Sequence, residues 1–262
     1  MIRALRTAAS GMYAQQLNLD NTANNLANVN TTGFKKGQIQ FQDLMYQTLR
    51  HAGLTASQEQ AEPVQLEIGH GVQPVAITKS FSQGTLTQTD NPLDMAINGT
   101  GFFQILLPDG SLGYTRDGNF ALNAEGEIVT ADGYALEPEL RLPFDTEQVL
   151  VGREGNIAVI ITGRSQPEEI GQIELARFIN PAGLESIGRN LFVETVSSGD
   201  PIYGEAGLDG LGEIEQGFLE TSNVSVVEEM MQMILAQHAY ELNTKSVRTA
   251  DEMLSQSANL KR

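Results

Sequence analysis

Near the start of the chain, apolar residues recur at alternating three- and four-residue intervals. The series runs Ile2, Leu5, Ala9, Met12, Gln16, Leu19, Ala23 and Leu26, with only Gln16 polar. Within it Leu5, Met12, Leu19 and Leu26 stand seven apart, a heptad-like row that predicts an amphipathic helix. Residues 2–30 hold no proline and one glycine, and such a helix would be roughly 40 Å long. The far end repeats the pattern. Met233, Tyr240, Val247 and Leu254 are seven apart, with Ala236, Asn243, Ala250 and Ser257 three positions further on, and residues 224–260 contain neither glycine nor proline. This helix is expected to begin after Ser222-Asn223 or Ser225, with Glu228 and Glu229 favouring its positive N-terminal end. Two helices at opposite ends of one chain predict an antiparallel pair made by the termini.

Between Gly69 and Gly217 the period changes. Asp109-Gly110, Asp117-Gly118, Glu125-Gly126 and Asp132-Gly133 follow one another at intervals of 8, 8 and 7 residues. Short β-forming runs such as Gly101–Leu107 and Glu127–Thr130 lie between them. Glycine accepts the positive φ of tight turns, so this spacing predicts antiparallel hairpins. The expected fold class is α+β: paired, coiled-coil-like N- and C-terminal helices, an extended connector, and a central antiparallel all-β domain. Residues 1–30 with 224–262 are assigned to the helical domain, 31–69 with 216–223 to the connector, and 70–215 to the β domain. The polar run Thr55–Pro63 alone reads as a flexible loop, but a connector of this length also suits a functional segment.

Composition narrows the function. With 33 acidic against 16 basic residues the formal net charge is −17, which argues against nucleic acid or anionic lipid as a partner. The absence of cysteine removes disulfides, thiolate metal sites and cysteine nucleophiles. No run approaches the roughly 18 apolar residues of a membrane span, and residues 1–10 lack a secretory h-region.

Enzymatic groups are equally hard to assemble. His51, His70 and His238 are far apart and lack metal-ligand spacing. There is no Gly-x-Ser-x-Gly elbow and no phosphate loop ending in Gly-Lys-Ser/Thr. Asn98-Gly99-Thr100-Gly101-Phe102 leads into a β-forming run and reads as a turn before a strand. The scattered carboxylates fit no glycosidase pair or calcium loop that can be singled out. Three Asn-x-Ser/Thr triplets read as coincidence. The expectation is no catalytic residue, no metal and no cofactor.

The terminal rows carry the remaining information. They could pack as a helical hairpin on the chain's own β domain, but so narrow a seam suits partner helices better. Asn18, Asn21, Asn25 and Asn28 form a second row beside the leucines. Asparagine is worse than alanine in a helix by up to about 0.7 kcal/mol, so local stability does not explain four of them. Amides bonded to neighbouring helices would.

The segment Ala23-Asn24-Asn25-Leu26-Ala27-Asn28-Val29-Asn30-Thr31-Thr32-Gly33-Phe34-Lys35 resembles the N-terminal signature of the flagellar axial proteins, the rod, hook and hook-associated subunits. Gly217–Met230 and Gln237-His238-Ala239-Tyr240-Glu241 resemble their closing helix, although that motif has arginine where this chain has His238. Ser82–Leu86, Asn98–Phe103 and Tyr114–Phe120 are also similar, so the likeness spans nearly the whole chain. Within the family, the length, Gly183–Leu191 and Tyr46–Arg50 look most like distal rod subunits. The resemblance implies a homo-oligomeric helical polymer, straight and hollow, whose terminal helices line an export channel and whose β domains form the outer wall. It implies proximal rod subunits, hook protein, the surrounding ring (bushing) proteins and the flagellar type III export apparatus as partners. The implied location is the basal-body rod, spanning the periplasm, reached without a cleaved signal.

On that resemblance, the expected subunit-interface residues are Ile2, Leu5, Met12, Leu19, Leu26, Asn18, Asn21, Asn25, Asn28, Met233, Tyr240, Val247 and Leu254. Tyr46, Gln47, Thr48, Leu49, Arg50 and Pro63 are expected in the connector, packing on neighbours and blocking the sliding that lets a hook bend. The excess of acid is either an aid to solubility or a means of keeping the outer wall from sticking to the rings, by repulsion over about 8–10 Å. Competing readings are another axial subunit, proximal rod or hook, and a peptidoglycan-acting enzyme on a β scaffold.

Overall fold

The computed structural model describes residues 2–50, 53–54, 61–62, 65–164 and 166–259. The chain divides into two compact units. One combines Met1–Leu26, Gly37–Thr78 and Val226–Arg262; the other combines Ala27–Lys36 and Lys79–Ser225.

The first unit holds both helices, α1 (Ile2–Ala27) and α2 (Val226–Asn259). Glu228 and Glu229 occupy the first turn of α2, where carboxylates complement the helix dipole. The helices run antiparallel. Gly11 lies against Asn243, Thr244 Oγ1 donates to Met12 Sδ at 3.5 Å, and Asn25 meets Glu229. A Cβ at position 11 would stand 2.9 Å from Asn243 Nδ2, so glycine allows close approach there. Among the described residues, the rest of the unit forms two-stranded pairs along a ribbon. Gly37–Asp43 pairs with Val72–Lys79, Tyr46–Arg50 with Leu66–Gly69, and Gly53–Leu54 with Ala61–Glu62. Much of the segment read from sequence as an extended connector is thus strand, because its backbone groups pair with one another across the ribbon. Pro63 lies outside the described residues.

The second unit is built on an antiparallel sheet in the order Glu185–Gly188, Leu191–Val193, Leu112–Thr115, Phe102–Leu106, Glu174–Arg177, Ile202–Glu205. Leu136–Glu137 also pairs with Phe102–Leu106. A three-stranded sheet joins Thr146–Val151, Asn156–Ile161 and Glu168–Gln172. Shorter pairs join Met95–Asn98 to Glu213–Gln216 and Leu86–Gln88 to Phe218–Glu220. Alternation along Phe102–Leu106 feeds two cores. Phe103 and Ile105 enter a large aliphatic core with Met95, Phe120, Ile157, Ile173 and Leu175. Phe102 packs edge-on against Phe178 and Phe192, near Tyr114.

Three of the four predicted acid-glycine turns close hairpins. Gly110, Gly126 and Gly133 all take positive φ, and their amides bond back to Leu107, Asn123 and Thr130. Asp117-Gly118 does not. There the Gly118 carbonyl accepts from Met95 N at 3.0 Å, and a Cβ on Gly118 would stand 1.5 Å from the Met95 carbonyl oxygen. The glycine serves a close backbone crossing, which local sequence spacing does not distinguish from a hairpin.

Candidate assembly site

In α2 the predicted row turns toward α1. Ala236 and Ala250 are buried, Met233, Asn243, Val247 and Leu254 half-buried, and Tyr240 39% exposed. In α1 the inner face is rotated from the predicted one. Ala8, Ala14, Thr22 and Asn25 are buried, Leu5, Met12, Asn18, Leu19 and Leu26 are half-buried, and Ala9, Gln16 and Ala23 face solvent. Small residues lie innermost because the two helices touch closely, which leaves the leucines on the flank. The side chain of Ile2 is outside the described set.

Asn21, Asn25 and Asn28 of the asparagine row are engaged within their own chain. Asn25 Nδ2 donates to the Gly37 carbonyl at 2.9 Å and to Glu229 Oε2 at 3.1 Å, and Asn25 Oδ1 accepts from Gly37 N at 2.9 Å. Asn21 Nδ2 donates to the same carbonyl at 2.9 Å. These amides pin the first strand to α1 and α1 to α2. Asn28 Oδ1 accepts from Thr31 Oγ1 beyond the helix end.

The opposite side of α2 is also apolar, and the single chain leaves it uncovered. Val227, Met231, Ile234, Leu235 and Leu242 lie on one helical face, and each is more than half exposed, Leu235 to 68%. Full burial of one such side chain is worth about 1.5–3 kcal/mol, so the stripe is a large reserve of association energy. The outward face of α1 carries Arg3, Arg6, Gln16 and Asp20. Helices apolar on two sides belong inside larger packings.

The ribbon repeats the theme. Tyr46, Leu49, Leu66, Val75 and Ile77 are each at least half exposed, with Gln47 and Arg50 exposed and Thr48 half-buried. A two-stranded ribbon is marginal in water by itself, so these groups also favour cover.

Sequence reading missed a buried ion cluster in the second unit. Lys35 Nζ lies 2.6 Å from Glu220 Oε1, and Arg116 Nη1 3.5 Å from Glu220 Oε2. All three side chains are at most 4% exposed. Burial lowers the Lys35 pKa, with Glu220 opposing that shift, and burial likewise lowers that of Arg116. Lys35, Arg116 and Glu220 each stand in a different motif of the sequence, and only folding reveals that the motifs converge. Gly33, at φ +65°, brings its amide to the Glu220 carbonyl at 2.8 Å. A Cβ there would stand 2.6 Å from Asp117 N.

Among the described residues no group of three or more His, Cys, Asp or Glu side chains could hold a metal ion, and no helix is long and apolar enough to cross a membrane.

Three family models match successive parts of the chain: "Flagella basal body rod protein" over residues 5–35, "Flagellar hook protein FlgE/F/G D1 domain" over 96–159, and "Flagellar basal body rod FlgEFG protein C-terminal" over 215–260. The flagellar basal-body rod protein FlgG of Borreliella burgdorferi is 50% identical over all of both chains. That of Caulobacter vibrioides is 46% identical over 99% of this chain and all of its own. The FlgF rod protein of the same Caulobacter is 33% identical over 98% of this chain and 97% of its own. Full-length identity near one half with FlgG, and lower with FlgF, decides between the axial readings: the chain belongs to the FlgG family of flagellar basal-body rod proteins.

Proposed function

We propose that copies of this rod subunit cover one another's α2 stripes and thereby close into a straight hollow tube that carries torque from motor to hook and encloses the export channel. Family membership makes the chain a structural component of the flagellar basal body and not an enzyme. The observation that carries the finer reading is the second apolar face of α2, exposed along Val227, Met231, Ile234, Leu235 and Leu242. In this reading residues 1–30 and 224–262 are the helical domain, pairing as a coiled coil that gains its full packing only in the polymer. Residues 31–69 and 216–223 are the connector, and 70–215 the outer wall. Leu5, Met12, Leu19, Leu26, Met233 and Leu254, half-buried in one chain, would lose their remaining exposure to neighbours. Tyr46, Leu49 and the rest of the ribbon would pack on adjacent subunits and resist bending. Proximal rod subunits and hook protein adjoin the two ends of the tube, and ring proteins surround it. Subunits reach the periplasm through the type III export apparatus.

The test is L235D/L242D. Wild-type protein should form filaments visible by electron microscopy, while the variant should sediment as a monomer and keep its circular-dichroism spectrum. Filaments of normal length from the variant would sink the proposal.

A further inference from the structure

Residues 27–36 are the first to enter the β unit, which the chain leaves at Gly37 and rejoins at Lys79, and residues 217–225 take it out. The two segments are 185 residues apart at Lys35 and Glu220, yet they meet around one carboxylate. We propose that Lys35, Glu220 and Arg116 form an all-or-none latch, which holds the entering and leaving segments together or releases both. This device goes beyond the rod reading and does not depend on polymerisation.

Each segment supplies a charge that the other must neutralise. Lys35 Nζ donates to Glu220 Oε1 and, at 2.9 Å, to the Ser82 carbonyl. The same carboxylate oxygen accepts from Gly84 N at 2.7 Å. Arg116 directly follows the strand Leu112–Thr115. Its Nη2 donates to the Gly99 carbonyl at 2.6 Å, and its guanidinium lies over the Phe102 ring. Two buried cations therefore share one anion. If Glu220 withdraws, both cations stay in low dielectric without a counter-charge. If Lys35 withdraws, the anion loses its nearer partner. Breaking one member of a buried set costs more than the whole set contributes, so a half-open state is disfavoured.

The backbone and flanking amides make the same connection. Gly33 N donates to the Glu220 carbonyl, Lys36 N to Asn223 Oδ1 at 2.8 Å, and Asn223 Nδ2 to the Ser80 carbonyl at 2.8 Å. There is little slack, since a Cβ on Gly84 would stand 1.9 Å from the Thr221 carbonyl oxygen. An ordinary stabilising ion pair predicts loosening where the substitution is made. The latch predicts reciprocity.

Hydrogen exchange on the full-length chain at monomer concentration separates the two. Glu220→Gln keeps the shape and removes the anion; Lys35→Met leaves one carboxylate facing one guanidinium and is the milder change. Each variant should speed exchange on the order of tenfold in both 27–36 and 217–225. The strands Phe102–Leu106 and Leu112–Thr115 should keep wild-type protection. Acceleration confined to the substituted segment, equal acceleration of the core strands, or no change in either segment would each overturn the latch. If Glu220→Gln yields no folded protein, Lys35→Met alone decides.

Discussion

The two units solve the same problem in opposite ways. The β unit closes a large apolar core within itself, where Met95, Phe103, Ile105, Ile157, Ile173 and Leu175 have essentially no exposure, although Phe144, Ile179 and Val196 stay outside it in water. The helical unit buries mainly small or polar groups, Ala8, Ala14, Thr22, Asn25, Ala236 and Ala250, and leaves Met231, Ile234, Leu235 and Leu242 in water. Charge divides in the same way. The β unit carries 23 acidic and 9 basic residues, a net −14, against 10 acidic and 7 basic in the helical unit, a net −3. A surface strongly of one sign repels its copies, whereas a nearly neutral apolar one lets them approach. One unit has its main core closed within a single chain, and the other leaves an apolar helix face that the proposed assembly would cover.

Substitutions should divide along the same line. The largest loss is expected from Phe103→Ala, which removes a fully buried ring packed edge-on against Phe120. It should cost about 3–5 kcal/mol, seen as a lower denaturation midpoint of the β unit with protection of α1 and α2 unchanged. A parallel collapse of the helices would show that the units are not energetically separate. Next comes Asn25→Ala, which strands Gly37 N and one bond to buried Glu229. About 1–3 kcal/mol of helical-unit stability should go, read as faster exchange in α1, α2 and Gly37–Asp43 with the β unit unchanged.

The smallest effect concerns alkaline pH. Burial, then its hydrogen bond to Tyr203, raises the Tyr114 pKa above the usual 10.0. The unfolded chain then loses that proton before the folded one does, so the tyrosine's contribution is intact below pH 10 and shrinks as pH rises past it. The slope is at most about 1.4 kcal/mol per pH unit. Tyr114→Phe should flatten the fall in melting temperature between pH 9.5 and 11, after an initial loss from the missing hydroxyl bond. A wild-type slope in the variant would mean that another group governs the alkaline limb.

Local pattern was enough for several parts of this architecture. The heptad rows foretold α1 and α2, Glu228 and Glu229 marked the start of the second, and Gly110, Gly126 and Gly133 marked real hairpins. These features depend on neighbours within a few residues, where backbone geometry and side-chain period act directly. Asp117-Gly118 misled for the same reason: the contact that needs glycine lies at Met95, outside any local window. The asparagine row was legible as a set of amides needing partners. It was not legible that Asn21 and Asn25 would both bond to Gly37.

By itself, then, the sequence determined where helix and strand alternate, that the ends are apolar and the middle acidic, and which family motifs the chain carries. Only the tertiary structure decided which face of α1 turns inward, which side of α2 is left bare, and that Lys35, Arg116 and Glu220 share one buried site. The physical reason is range. Periodicity is set by bonds a few residues long, while burial is set by whatever distant segment arrives to exclude water. Nothing within a few residues of Lys35 reveals its counter-ion, which lies 185 residues away in the chain.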